Sequence, residues 1–180
     1  HAGPQSLDKQ IKINLYSMKH FFFLLIGAAL LFSCGQQNNK ANVALIEQYV
    51  KAVEELDYES IENVLDENYL GLGPSVGDSI RKPEVIETLK INFEHLYESI
   101  DYDRSNSIAV TIADGPEKGD WVSTWAELTI TYKEDQNRVR LWTNSVYQIE
   151  NGKIIKSYTF YNEADAMEQL GYVFINPADL

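Results

Sequence analysis

The sequence predicts an α+β domain in which helices come first, long antiparallel strands follow, and the helices pack on one face of a curved sheet. Three observations carry this. Apolar residues recur at helical spacing from Ile46 to Tyr97. After Ile100 the pattern changes to a period of two, the alternation of a strand. Asn151-Gly152 then sits between two alternating runs, a strong signal for a tight hairpin.

The first helix is expected over Asn42 to Leu56, with Ile46, Tyr49, Val50, Val53 and Leu56 as its apolar stripe. Asp57 ends it, and Tyr58-Glu59-Ser60 opens a second short helix carrying Ile61, Val64 and Leu65. Gly71, Gly73 and Pro74 mark Tyr69 to Val76 as a short extended piece followed by a loop. Ser79 to Glu84 reads as the start of a third helix, with Pro83 near its first turn. Val85, Ile86, Leu89, Phe93, Leu96 and Tyr97 form its buried face. Four strands follow: Ser107 to Ala113, Trp121 to Tyr132, Arg138 to Ile149 and Lys153 to Tyr161. The turn cluster Asp114 to Asp120 separates the first two, and Lys133 to Asn137 the next two. A closing helix spans Glu163 to Leu170, with Asn162 or Glu163 near its cap and Gly171 after it.

The N-terminal part reads differently. Lys19 and His20 give a basic start, Phe21 to Phe32 is almost wholly apolar, and Leu31-Phe32-Ser33-Cys34 closes the run before a polar tract. A charged start, a short apolar run and a small residue before the cut describe a secretory signal. The run is about a dozen residues, short of the roughly 20 that span a bilayer. Leu31 at −3, Ser33 at −1 and the single cysteine resemble a bacterial lipoprotein signal, which implies lipidation at Cys34. Gly35 after it resembles proteins sent to the outer membrane, so the resemblance implies a lipid-anchored, cell-envelope location with the domain outside the cytoplasm. The expected organisation is therefore residues 1–17 as an upstream or cloning remnant, 18–33 as the signal, 34–41 as a polar tether and 42–180 as the domain, with Met18 as initiator.

Charge narrows the partners. The chain carries 15 Lys and Arg against 27 Asp and Glu, a formal −12. Lys9, Lys12, Lys19 and Asp8 lie in the first 33 residues, so the remainder has 12 against 26, or −14. Such a domain repels phosphate backbones and anionic lipid alike, which argues against nucleic acid and leaves membrane attachment to the lipid. One cysteine permits no intramolecular disulfide, so the core must hold the fold. No cluster of His, Cys and carboxylates has metal-ligand spacing, and Gly71-Leu72-Gly73 lacks the lysine and the strand-to-helix setting of a phosphate loop. No metal and no cofactor is expected.

The segment Glu150 to Gly171, "ENGKIIKSYTFYNEADAMEQLG", resembles the SnoaL-like branch of the nuclear transport factor 2 superfamily. Asn151-Gly152-Lys153-Ile154, Tyr161-Asn162 and Gln169-Leu170-Gly171 occupy that branch's hairpin, strand end and helix end, and Ile46 to Tyr69 resembles its opening helices. The resemblance implies a cone: a strongly bent sheet wrapped around three helices, open at one end to a pocket for small, largely apolar ligands. It also implies pairing of two copies through the outer sheet face. The fold hosts isomerases, cyclases, dehydratases, binding modules and scaffolds, so activity must be argued from residues.

Catalysis in such a cone needs a carboxylic acid or histidine inside, where an apolar wall raises a carboxyl pKa. The position that is often aspartate at the end of the last strand matches Asn162, and two that are often His and Asp match Ser157 and Thr159. An amide does not exchange protons usefully, and Asn162 also suits a helix cap. Glu127, mid-strand among tryptophans, is the remaining acid: facing inward it would serve as a base, facing outward as a solvated or interfacial carboxylate. With 11 Tyr, 7 Phe and 3 Trp, an aromatic wall is the positive signal for ligand binding. Tyr49, Tyr69, Phe93, Trp125, Trp142, Asn144, Tyr158, Tyr161 and Asn162 are the expected ligand-binding residues. The favoured reading is a domain that binds a small, largely apolar molecule or a protein partner without catalysis. The alternative is an isomerase, cyclase or dehydratase using Glu127 with tyrosine hydroxyls.

Overall fold

A computed structural model describes residues 38–176 and Ala178. Residues 1–17, the signal, Cys34 and the first half of the tether lie outside the described residues. Four helices and six strands follow in the order α1 (38–54), α2 (Tyr58–Val64), β1 (Leu65–Leu72), β2 (Ser79–Arg81), α3 (Lys82–His95), β3 (Tyr97–Ile112), β4 (Gly119–Tyr132), β5 (Arg138–Glu150), β6 (Lys153–Tyr161) and α4 (Glu163–Gln169). All strands form one curved sheet in the order β2-β1-β6-β5-β4-β3. Neighbours are antiparallel except β1 and β6, which run parallel.

The α+β class and the order of elements follow the sequence pattern, with four adjustments. Residues 38–41, expected in the tether, are already helical; nothing from Asn38 to Asn42 is a Gly or Pro that would stop the turn. The sheet has six strands rather than four, because the extended piece around Tyr69 pairs with Ser79–Arg81 as a hairpin and with β6 on its other side. Ser79, Ile80 and Arg81 are thus strand, and α3 starts at Lys82, where the Glu84 carboxylate accepts from Arg81 N–H at 2.9 Å. Finally, β3 begins at Tyr97, ten residues before the expected Ser107. A bulge between Asp103 and Asn106 interrupts the alternation there and hides the continuity of the strand.

Local chemistry explains the ends. The Asp57 carboxylate accepts from Ser60 N–H at 3.0 Å and from its hydroxyl at 2.6 Å, capping α2. Asn151 (φ 51°) and Gly152 (φ 72°) supply the two positive φ angles of the β5–β6 hairpin. At Gly73 (φ 96°) an added Cβ would stand 2.4 Å from the Thr159 carbonyl oxygen, so only glycine fits where β1 leaves the sheet.

Ile46, Val50 and Val53 of α1, Ile61 and Val64 of α2, and Phe93 of α3 pack on Ile100, Val122, Tyr147, Ile149 and Ile154 of the sheet. This fixes the inner face. Val122 pairs with Tyr147, and Tyr147 with Ser157, so even residues of β4 and odd residues of β5 and the end of β6 look inward.

Candidate functional site

That inner face carries a belt of hydroxyls. Tyr69 Oη and Ser157 Oγ lie 2.6 Å apart, Ser107 and Thr124 hydroxyls 2.7 Å, and Ser145 and Thr159 hydroxyls 3.2 Å. Each is a bond between neighbouring strands or across the interior, so the buried groups satisfy one another. Tyr49 reaches in from α1 and meets Tyr147 edge to face, with ring centroids 5.5 Å apart. The bulge in β3 leaves a recess of about 230 Å³ between α1 and the sheet, lined by Glu47, Val50, Lys51, Glu54, Tyr102, Ser105 and Ser107. The Glu54 carboxylate accepts from Tyr102 N–H at 2.9 Å and ties α1 to the bulge.

The electrostatics of the interior are those of neutral phenols. Burial holds Tyr49, Tyr69, Tyr102 and Tyr147 above the usual tyrosine range. Neighbouring phenols push Tyr49, Tyr102 and Tyr147 further, while the Ser157 and Ser145 hydroxyls offset part of the rise at Tyr69 and Tyr147. All four stay protonated at neutral pH and act as hydrogen-bond donors. Tyr102, Ser107, Thr124, Thr143, Ser145, Tyr147, Ser157 and Thr159 line this face with hydroxyls, and a carboxylate, Asp120, joins them at the far end of β4, where it accepts from the Thr111 hydroxyl at 2.6 Å. Hydroxyls can orient a ligand and polarise a carbonyl, but none shuttles protons near pH 7.

The expected site residues divide between the two faces. Tyr49, Tyr69 and Phe93 are interior. Tyr161 faces inward at the end of β6, opposite Thr143, and its neighbours there include Tyr132 and Asp78. Glu127, Trp125, Trp142, Asn144 and Tyr158 all lie on the outer face, because odd residues of β4 and even residues of β5 and β6 point away from the core. Trp125 and Trp142 are 39% and 60% exposed. Asn144 donates to Ser123 Oγ and to the Thr124 carbonyl, both at 3.1 Å, and Tyr158 stacks on Trp121 with centroids 6.1 Å apart. These residues therefore do not line one hollow with the interior tyrosines.

The inward-base reading of Glu127 is overturned by its setting. Its carboxylate is buried on the outer face between the guanidiniums of Arg104 and Arg140. The hydrogen bond from Arg140 leads in holding its pKa below the ordinary carboxylate value, and the Arg104 charge adds to it against the cost of burial. A carboxylate held ionised in this way is a poor base near neutrality. Asn162 caps α4, its side-chain oxygen accepting from Asp165 N–H at 3.3 Å. Gln169 has an architectural role as well. Its amide oxygen accepts from Arg140 N–H at 2.9 Å and its NH₂ donates to the Arg140 carbonyl at 2.8 Å, replacing the strand partner that β5 lacks once β6 has ended.

Sequence reasoning missed Tyr102, Ser107, Thr124, Ser145 and Tyr147. The signal was in β5: the odd set Val139, Leu141, Thr143, Ser145, Tyr147 and Ile149 is flanked by aliphatics, whereas the even set starts Arg138, Arg140. Among the described residues no group of three or more His, Cys, Asp or Glu could hold a metal ion.

A sheet bent around three helices with this topology is shared with known proteins, and the family model for the SnoaL-like domain matches residues 46–157. The chain belongs to the SnoaL-like family. Solved structures agree on the fold. A proposed polyketide cyclase from Xanthomonas campestris pv. campestris is 13% identical over 74% of this chain and 98% of its own, with a TM-score of 0.60. A proposed isomerase from Bacillus subtilis is 16% identical over 76% and 97%, with a TM-score of 0.57. A proposed polyketide cyclase from a Silicibacter species is 19% identical over 70% and 92%, also at 0.57. No match was found among curated proteins. In this SnoaL-like domain the matched residues run from α1 into β6. The hydroxyl belt is what this sequence places inside it.

Proposed function

We propose that this SnoaL-like domain binds a small molecule, largely apolar in body and bearing a carbonyl or hydroxyl, without transforming it. The observation that carries this reading is the belt of hydroxyls on the inner face, from Tyr102, Ser107 and Thr124 through Thr143, Ser145 and Tyr147 to Ser157 and Thr159. The recess beside Tyr102 is the natural approach, since its wall includes Tyr102, Ser105 and Ser107. Native mass spectrometry of the protein purified from its own host tests the reading. A retained molecule of a few hundred daltons, lost or weakened at least tenfold in Tyr102→Phe with the fold intact, is the expected result. A protein that carries nothing, and whose apolar probe binding is unchanged in Tyr102→Phe, overturns it.

A second reading is supported by the relatives' names, polyketide cyclase and isomerase. In it the raised-pKa phenols donate hydrogen bonds to a carbonyl that is enolised, and a group outside the belt moves the proton. A pH–rate profile on a ketone substrate separates the two readings, because any turnover abolished by Tyr102→Phe or Tyr147→Phe belongs to the second.

The same proposal places the domain on the cell envelope through lipidated Cys34. The excess of acidic side chains, which disfavours docking on anionic lipid, supports a covalent lipid as the anchor. Metabolic labelling with a fatty-acid analogue, present in the native chain and absent in Cys34→Ser, checks it. Label that persists in the variant refutes it.

A further inference from the structure

Tyr102 and Ser107 both face inward, opposite Leu128 and Thr124, although both belong to one strand and stand an odd number of residues apart. In a regular strand such a pair would lie on opposite faces. The bulge makes up the difference. Asp103 pairs with Glu127 and Asn106 with Trp125, so Arg104 and Ser105 together stand against Ala126. Arg104 takes φ 52° there and turns outward, over Trp142 at 5.2 Å to the ring centroid and against the Glu127 carboxylate. Ser105 is left in the wall of the recess between α1 and the sheet.

Beyond the bulge the strand lies against its own apolar pattern. Ile108, Val110 and Ile112 point outward and are 55%, 48% and 36% exposed, while Ser107 and Ala109 occupy the inner face opposite Thr124 and Val122. Without the bulge, the pairing of Asp103 with Glu127 would continue as Arg104 with Ala126, Asn106 with Thr124 and Ile108 with Val122. Every side chain after Arg104 would change face. That register gains apolar burial and relieves the positive φ. Its large cost is Arg104, whose guanidinium would stand against the fully buried Ala126, away from the Glu127 carboxylate that now pairs with it. Burying a charge in that way costs more than two aliphatic side chains return.

We propose that Arg104 is a positioning residue that sets the register of β3. Its charge is excluded from the interior, which forces the bulge. The bulge in turn decides that Ser105 and Ser107, rather than Asn106 and Ile108, face the recess and the inner sheet. What this means for a ligand rests on the binding reading above, since it fixes which hydroxyls the ligand would meet beside Tyr102. The register itself is read without any ligand, so the two fail separately.

Cysteine labelling tests it, on the full chain with Cys34→Ser in every variant so that one thiol is read at a time. With Arg104 in place, Ile108→Cys reacts with iodoacetamide on the order of tenfold faster than Ala109→Cys, following exposure. Arg104→Val removes the charge and puts a β-branched residue where φ is positive. The strand then straightens and the order of the two rates inverts. Arg104→Lys, still charged, keeps the wild-type order. Three results overturn the proposal. One is the wild-type order persisting in Arg104→Val, as when the bulge merely moves to another pair. Another is the inversion appearing in Arg104→Lys as well. The third is both cysteines reacting at the rate of the unfolded chain in Arg104→Val, because the straight register buries more apolar surface and must fold.

Discussion

Removing the Tyr69 hydroxyl probes the hydroxyl belt most directly. Tyr69 and Ser157 are 6% and 4% exposed, and their oxygens are 2.6 Å apart. The Tyr69 oxygen sits over Gly71, where an added Cβ would come within 2.9 Å of it, so the pair depends on a glycine at that position. Tyr69→Phe leaves the Ser157 hydroxyl buried and unpaired, and Ser157→Ala does the same to the phenol, each costing about 1–3 kcal/mol. The double variant orphans nothing, so its cost falls short of the sum of the two by about 1 kcal/mol. Urea unfolding followed by tryptophan fluorescence reads this well, because Trp121, Trp125 and Trp142 all sit in the sheet. On heating, each kcal/mol corresponds to roughly 3–5 °C for a domain of this size. Additive costs, within about 0.3 kcal/mol, would mean that the two hydroxyls do not depend on each other, and the argument from a mutually satisfied interior would fail.

Three other outcomes follow from the same geometry. Glu127→Gln weakens the outer face only where the wild-type carboxylate is ionised. Its folded pKa lies below 4.5, so the ion pairs stabilise above that value and the gap between wild type and variant closes as pH falls through the folded pKa; pH-dependent denaturation checks this. At the other end of the scale, Tyr69, Tyr97, Tyr102 and Tyr147 titrate above the value of 10.0 of a free phenol, Tyr97 at about 12. Their contribution is complete below pH 10 and is lost as pH rises through the raised values, so Tyr147→Phe melts with a shallower alkaline decline than wild type. Asn162→Ala costs about 1 kcal/mol through loss of the α4 cap. Hydrogen exchange at Arg140 N–H speeds up in that variant and in Gln169→Leu alike, whereas an unchanged rate would show that α4 does not pair with β5.

The fold was legible because its signals are local. Periodicity located α1, α2 and α3 from residues such as Ile46, Ile61 and Phe93, and the Asn151-Gly152 turn placed β5 against β6 without further information. What escaped notice depends on distant pairing. Leu65–Leu72 alternates poorly because its burial follows two different neighbours, β2 on one side and a parallel β6 on the other. The early half of β3 is masked by the bulge at Asp103, where Arg104 takes φ 52° and is re-aimed at Glu127.

The site was less legible for a reason that bears on its chemistry. Aromatic content does not say which side of a strand a ring occupies, and one step of register moves a residue through the sheet. Trp125 and Trp142 looked like pocket walls, but the parity set by Val122 and Tyr147 turns both outward. The same parity turns Ser157 and Thr159 inward. Their small hydroxyls, first noticed as departures from an acidic pattern, are the interior. On the binding reading proposed above, a ligand that meets the bonded pairs Tyr69–Ser157, Ser107–Thr124 or Ser145–Thr159 exchanges one of these bonds for its own rather than filling an empty donor. That exchange is nearly neutral for a carbonyl or hydroxyl and unfavourable for a hydrocarbon edge, which strands the displaced group. On that same reading, discrimination rests on one correctly placed oxygen of the ligand. A series of ligands differing only by that oxygen should separate by tenfold or more in affinity, while added methylenes change it far less than that once the recess is full.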